Sequence, residues 1–212
     1  MNYYPICLNI DYKKVVIVGG GHVARQKLQS LLPTKAQIVI VSPTIVPEIQ
    51  AYIEQGEATW HEKVFEASDL DGAAMIFAVT NNEDVNDAVE QATQHWQLLS
   101  RADAKGHVDF INPAVVRRGE FMLTVSTSGA SPSLTRKVKE DLAEVYDESY
   151  ADYVTFLKEA RLDLLEKSLD REVKKQALQA LLTPEVLEWI RQGDTGKCQQ
   201  FLQQLVQEEK TL

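Results

Sequence analysis

The sequence predicts an α/β fold in its first half, a short β-rich stretch after it and an all-helical remainder. Three observations predict this. Over the first 100 residues, short β-branched apolar runs alternate with stretches of helical spacing, as the strands and crossover helices of a parallel sheet do. The first of those runs closes on three glycines, Gly19, Gly20 and Gly21. From Ala151 onward no strand pattern remains, and leucines recur at helical intervals.

The elements follow in order. Lys14-Val15-Val16-Ile17-Val18 is apolar throughout after its lysine, the mark of a strand covered on both faces. Val23 to Leu32 has helical spacing through Val23, Leu28, Leu31 and Leu32. Ile38 to Val41 is a second strand, stopped by Ser42-Pro43. Ile45 to Gln55 reads as a helix, with Pro47 in its first turn and Gly56 past its end. Ala58-Thr59-Trp60 is a short third strand, Ala74 to Val79 a fourth, Asp84 to His95 its helix, and Gln97-Leu98-Leu99 a fifth strand. Then the pattern changes. Phe110 to Val116 and Glu120 to Ser126 are β-rich runs around Arg117-Arg118-Gly119, which reads as a hairpin turn. Ser131 can cap a helix that has Pro132 in its first turn and runs to about Tyr150. Leu157, Leu162, Leu164, Leu165, Leu169, Val173, Leu178, Leu181 and Leu182 form one apolar stripe, broken by Thr183-Pro184. Two short helices follow, separated near Gln192-Gly193-Asp194.

Composition narrows the function. Of 212 residues, 44% are apolar and 25% charged, the balance of a globular protein with a packed core. The 22 Lys and Arg stand against 31 Asp and Glu, a net charge of -9. That argues against a nucleic-acid partner, which needs a broad basic face. No run of 18 apolar residues offers a membrane span, and Met1 to Pro5 lacks the start of a signal peptide. Cys7 and Cys198 lie far apart without a CxxC pair, which excludes a disulfide scaffold and a multi-cysteine zinc site; a reduced, cytoplasmic protein is expected. Charge is uneven. Residues 101–140 hold Arg101, Lys105, Arg117, Arg118, Arg136, Lys137 and Lys139 against Asp103, Asp109, Glu120 and Glu140. Such a cationic stretch suits an anionic ligand; chance clustering on a solvated helix accounts for it equally.

The chemistry centres on Val18-Gly19-Gly20-Gly21-His22-Val23-Ala24. It fits the G-x-G-x-x-G/A fingerprint through Gly19, Gly21 and Ala24, and it sits between a buried strand and a helix, as dinucleotide binding requires. Gly19 permits the tight turn, Gly21 lets the backbone approach a pyrophosphate, and Ala24 lets the helix pack on the sheet. The helix N-terminus then faces the pyrophosphate. The acidic residue that would take the ribose hydroxyls of NAD is missing: the second strand ends Val41-Ser42-Pro43-Thr44. Ser42 or Thr44 is placed to bond the ribose instead, and the lack of Arg or Lys there favours NAD over NADP. Thr80 and Asn81 follow the fourth strand, at a position suited either to cofactor and substrate contact or to a turn and helix cap. The four histidines, His22, His61, His95 and His107, have no metal-ligand spacing, so no metal is assigned. Ala102 to Asp109 forms a second candidate site, in which Asp103 either serves as a general base or ring-orienting group or is a solvated loop carboxylate.

Pro5-Ile6-Cys7-Leu8, Val15 to Lys27, Ala78 to Asn82, Phe110 to Ala114 and Val125 to Leu134, in that order, resemble the precorrin-2 dehydrogenase family, the dehydrogenase module of siroheme synthases, in its stand-alone short form. The match covers residues 1 to about 150. GGGxVAxxK followed by SxxSP about 100 residues later is specific to it. The resemblance implies NAD-dependent oxidation of precorrin-2 to sirohydrochlorin on the route to siroheme; some members also insert ferrous iron. It implies a Rossmann-type NAD-binding domain at 1–112, a dimerisation region of strands and helix at 113–147, a helical C-terminal domain at 148–212, and a homodimer. The methyltransferase module of longer relatives is absent from this chain. The family's key aspartate lands on Asp103. Its cofactor contacts land on Gly19, Gly20 and Gly21, on His22 and Val23, and on Pro43 and Thr44. A serine phosphorylated in some longer relatives corresponds to Thr127. Precorrin-2 is an octacarboxylate, so Arg117, Arg118, Arg136, Lys137 and Ser128 are candidate substrate contacts. Two alternatives stand beside this reading: a bifunctional dehydrogenase and ferrochelatase, with Asp103 or His107 assisting, and a non-catalytic NAD sensor, since fold does not fix function.

Overall fold

A computed structural model describes residues 3–103, 106 and 108–208. The chain forms two compact units, one ending at Asn112 and one beginning at Pro113.

In the first unit, strands β1 (Lys14–Val18), β2 (Gln37–Val41), β3 (Thr59–His61), β4 (Ala73–Ala78) and β5 (Leu98–Arg101) form one sheet in the order β3-β2-β1-β4-β5. Every pairing is parallel. Helices α1 (His22–Leu31), α2 (Pro47–Glu54) and α3 (Glu83–Ala92) connect the strands, with a 3₁₀ turn at Ala67–Leu70. The unbroken apolar runs now have a cause. Val15, Ile17, Ile38, Ile40, Met75 and Phe77 join one core with Ala24 and Leu28 of α1 and Ile49 of α2. Val16, Val18, Val41, Ile76 and Ala78 join a second core with Leu70, Val89 of α3 and Leu99. Successive residues of one strand point to opposite faces, so a strand covered on both needs no polar alternation. This is a Rossmann-type doubly wound sheet. Its strand order reverses between β1 and β4, and ligands of such sheets bind at the carboxyl ends of the strands there.

The second unit starts with β6 (Ala114–Arg118) paired antiparallel to β7 (Phe121–Val125), Arg118 opposite Phe121. The turn is therefore Gly119-Glu120, with Gly119 at φ 57° as a two-residue hairpin requires. Arg117 and Arg118, expected in the turn, are strand residues. Helices α4 (Pro132–Val145), α5 (Ser149–Glu166), α6 (Arg171–Ala180), α7 (Pro184–Arg191) and α8 (Thr195–Glu208) complete the chain. The expected helix to Tyr150 stops at Val145, because Asp147 takes the Ser149 amide (3.1 Å) and hydroxyl and so starts α5. The stripe read as continuous from Leu157 to Leu182 is broken before α6, where Asp170 accepts the Glu172 amide at 2.8 Å. The last helix, expected to be short, has 14 residues. Leu164, Ala177, Leu181, Val186, Cys198 and Leu202 share the core of this unit.

Candidate active site

The loops after β1, β2, β4 and β5 meet along one edge of the sheet. Gly19 N–H donates to Val41 O at 2.9 Å, Val79 N–H to Val18 O at 2.9 Å and Ala102 N–H to Ala78 O at 3.0 Å. Each glycine of the turn after β1 answers a different demand. Gly19 has φ 128°, and a Cβ there would stand 2.8 Å from Val79 O. At Gly20 a Cβ would overlap the Thr44 carbonyl oxygen, while Gly20 O accepts the Val46 amide at 2.9 Å. Gly20 therefore locks the turn after β1 onto the loop after β2. Around Gly21 nothing lies within 4 Å of a Cβ.

Gly21 is also the N-cap of α1, with no side-chain cap and no acidic residue in the first turn. The first amides of a helix have no partner within it, and here no side chain of the helix start competes for them. Open space in front of a bare, uncapped helix N-terminus fits the pyrophosphate of a dinucleotide. His22 and Val23 begin the helix, both exposed.

The loop after β2 is braced from within. The Ser42 hydroxyl donates to Thr44 O at 2.7 Å, and Trp60 Nε1 donates to Ser42 O at 2.9 Å. The Ser42 proton is thus committed to the fold, while Pro43 and Thr44 stay exposed.

After β4 the cap and the contact surface separate. Asn82, not Asn81, caps α3, accepting the Asp84 amide at 2.9 Å. The Thr80 hydroxyl lies 2.8 Å from both Asn82 O and Asn86 Oδ1, so it is internal, and Asn81 is exposed.

The Asp103 carboxylate is held by three donors. Arg101 grips it as a fork, Nε to Oδ1 at 3.0 Å and Nη2 to Oδ2 at 2.8 Å. Asn86 Nδ2 donates to Oδ2 at 3.0 Å. Arg101, the last residue of β5, has a side chain only 1% exposed. It also pairs with Asp87 at 2.8 Å and with Glu90, both on α3. The hydrogen bonds it donates to Asp103 first, then to Asp87 and Glu90, raise its pKa well above the ordinary arginine value. Arg101 was counted into the cationic stretch, but three carboxylates surround it. The loop is also clamped at its base, where Asp109 N–H donates to Leu99 O at 2.9 Å and Leu99 N–H to Asp109 Oδ2 at 2.8 Å. Lys105 and His107 lie outside the described residues.

Asn86 and Arg101 are the residues that sequence reasoning missed. Both left a signal: a polar residue at an apolar-face position of α3, beside Val85 and Val89, and a charge at the end of a buried strand.

In the second unit, Arg118 has partners within the fold. Its Nε donates to Tyr146 O at 3.0 Å and its Nη2 to Ala143 O at 3.2 Å, and it pairs with Glu148 at 3.1 Å. The carbonyls at the end of α4 have no helical partners, and Arg118 donates to two of them. Arg117 is exposed beside Met122 Sδ at 3.2 Å. Arg136 and Lys137 pair one helical turn away, with Glu140 at 3.7 Å and Asp141 at 3.3 Å. Ser128 is exposed, at φ 52°. Thr127 is bonded to Ser131 and Thr135. Among the described residues no cluster of three His, Cys, Asp or Glu could hold a metal ion, and no helix is long and apolar enough to cross a membrane.

Comparison with known proteins adds the following. The family model for NAD(P)-binding domains matches residues 6–114. The precorrin-2 dehydrogenase of Priestia megaterium is 33% identical over 202 residues, 95% of this chain and 98% of that protein. The precorrin-2 dehydrogenase of Bacillus subtilis is 32% identical over 157 residues, 74% of this chain and 97% of that protein. Siroheme synthase 1 of Aeromonas salmonicida is 28% identical over 211 residues, 99% of this chain but 45% of that longer protein. The solved structure of SirC, a precorrin-2 dehydrogenase, superposes with a TM-score of 0.82 at 31% identity, over 97% of this chain and 100% of the other.

Proposed function

The chain belongs to the precorrin-2 dehydrogenase family, and from that premise we infer that it oxidises precorrin-2 to sirohydrochlorin in siroheme synthesis, with NAD as the cofactor. The observation that carries this reading is a carboxylate fixed at the end of β5, on the sheet edge that also carries the open glycine turn. NAD, when bound, supplies the hydride acceptor. The residues that hold it are Gly19, Gly20, Gly21, His22 and Val23 at the start of α1, Pro43 and Thr44 beyond Gly20, and Asn81 after β4. The preference for NAD over NADP rests on Ser42-Pro43-Thr44, which offers no cation for a 2′-phosphate; Arg25 of α1 pairs with Glu48 of α2 at 3.4 Å.

Asp103 orients the reacting ring. The arginine fork binds both carboxylate oxygens in one plane, so Asp103 faces the site in one orientation. Arg117, Arg136 and Ser128 meet substrate carboxylates. The helical pairs of Arg136 and Lys137 are exposed and weak, so both can exchange partners, and each charge-assisted contact contributes about 1.5–3 kcal/mol. Residues 113–147 form the dimerisation region of a homodimer and 148–212 a helical domain. Helix α4 supports this, for it buries none of its residues.

The test is one cuvette: precorrin-2, NAD and the protein, followed by absorbance. Asp103→Ala is expected to keep NAD binding and lose turnover by roughly 10²-fold or more. Turnover at the parent rate in that variant removes Asp103 from the site.

A further inference from the structure

We propose that Arg101 is a positioning residue for Asp103, seconded by Asn86, and that the orientation of the Asp103 carboxylate depends on this pair. The proposal rests on the reading of Asp103 as the ring-orienting group.

The arrangement is layered. Asp87 and Glu90, three residues apart on α3, hold the Arg101 guanidinium from one side. The guanidinium is planar, so fixing it at Asp87 and Glu90 fixes the plane of its remaining N–H groups. Those groups donate to both oxygens of Asp103. Asn86, from the same helix, adds the third bond; its Oδ1 accepts the Thr80 amide at 3.2 Å and its Nδ2 also donates to Thr80 O at 3.1 Å. One helix thereby ties the end of β4 to the loop after β5. Gly106 lies against this cluster: a Cβ there would overlap Glu90 Oε2 and stand 2.8 Å from Arg101 Nη1. A carboxylate on a loop has two free torsions and a mobile backbone; three bonds from buried donors leave it one orientation. Lysine in place of Arg101 keeps the charge but, as a point charge, cannot hold two oxygens in a plane.

The experiment compares the whole protein with Arg101→Lys, Asp103→Ala and the double variant, measuring NAD titration, KM for precorrin-2 and kcat. The expected result for Arg101→Lys is a kcat at least tenfold lower, with KM and the NAD midpoint within threefold of the parent. The double variant is expected to be no slower than Asp103→Ala, because a positioning residue acts through Asp103. A parent-like kcat in Arg101→Lys overturns the proposal. So do losses that multiply in the double variant, which assign Arg101 a separate, structural role. Parent-like turnover in Asp103→Ala alone overturns the orienting role of Asp103 first and this proposal with it, so the two failures are told apart by that single variant. If Arg101→Lys does not fold, Asn86→Ala is measured by the same criteria, and a parent-like kcat there overturns the proposal equally.

Discussion

At Gly20 an added methyl would overlap the Thr44 carbonyl oxygen; one residue on, at Gly21, it would meet nothing within 4 Å. These neighbours therefore separate fold from ligand. Gly20→Ala is expected to lower stability by about 1–3 kcal/mol, the range of overpacking, and to weaken NAD binding by displacing the loop after β2. Gly21→Asp is expected to leave the melting temperature within about 2 °C, because aspartate is a good N-cap, and to abolish NAD binding by placing a carboxylate in the space proposed for the pyrophosphate. Thermal melts and NAD titrations of the two variants check both outcomes. Lost stability in Gly21→Asp, or unchanged NAD affinity, contradicts the assignment of the open space. The fingerprint made Gly19 and Gly21 legible before any coordinates. The role of Gly20 was not legible, because its constraint comes from Thr44, 24 positions along the chain.

At the scale of elements, caps decided what periodicity could not. The α4–α5 boundary hangs on Asp147, which accepts from Ser149 and pairs with Arg191 of α7 at 3.0 Å. The Ser149 hydroxyl above all, then its amide and Arg191, hold the Asp147 carboxyl below the usual range. A depressed carboxylate stabilises the fold fully above its unfolded pKa of about 4 and loses that contribution as pH falls through the folded value. Asp147→Asn is therefore expected to unfold at lower denaturant than the parent at pH 7, and the gap is expected to close in acid below about pH 4. Denaturant midpoints at the two pH values check this; a gap that persists in acid denies the electrostatic role. The strands of the parallel sheet were legible because continuous β-branched runs have few other uses. The helical remainder was legible only as helical, since one leucine stripe reads the same whether the chain continues or folds back at Asp170.

For the whole molecule, charge read along the chain overstated the available positive field. Asp87, Glu90 and Asp103 take Arg101, and Glu148 takes Arg118. Of the candidate substrate cations, Arg117, Arg136 and Lys137 remain exposed. Assembly belongs to this scale too. With α4 burying nothing and Leu134 and Val145 exposed at 52% and 62%, the proposed homodimer is expected to sediment at twice the chain mass. A monomer at micromolar concentration contradicts it.

The sequence by itself determined the parallel sheet and the glycine turn, because each is a local pattern: a run of residue types, a spacing or a motif. Only the tertiary structure decided which partners those residues meet. Gly20 against Thr44, Arg101 among three carboxylates, Asn86 between Thr80 and Asp103, and Arg118 at the end of α4 all join positions that the chain brings together only when each unit folds. A pattern along one dimension carries the period of an element; hydrogen bonds between elements depend on which ends the topology places side by side.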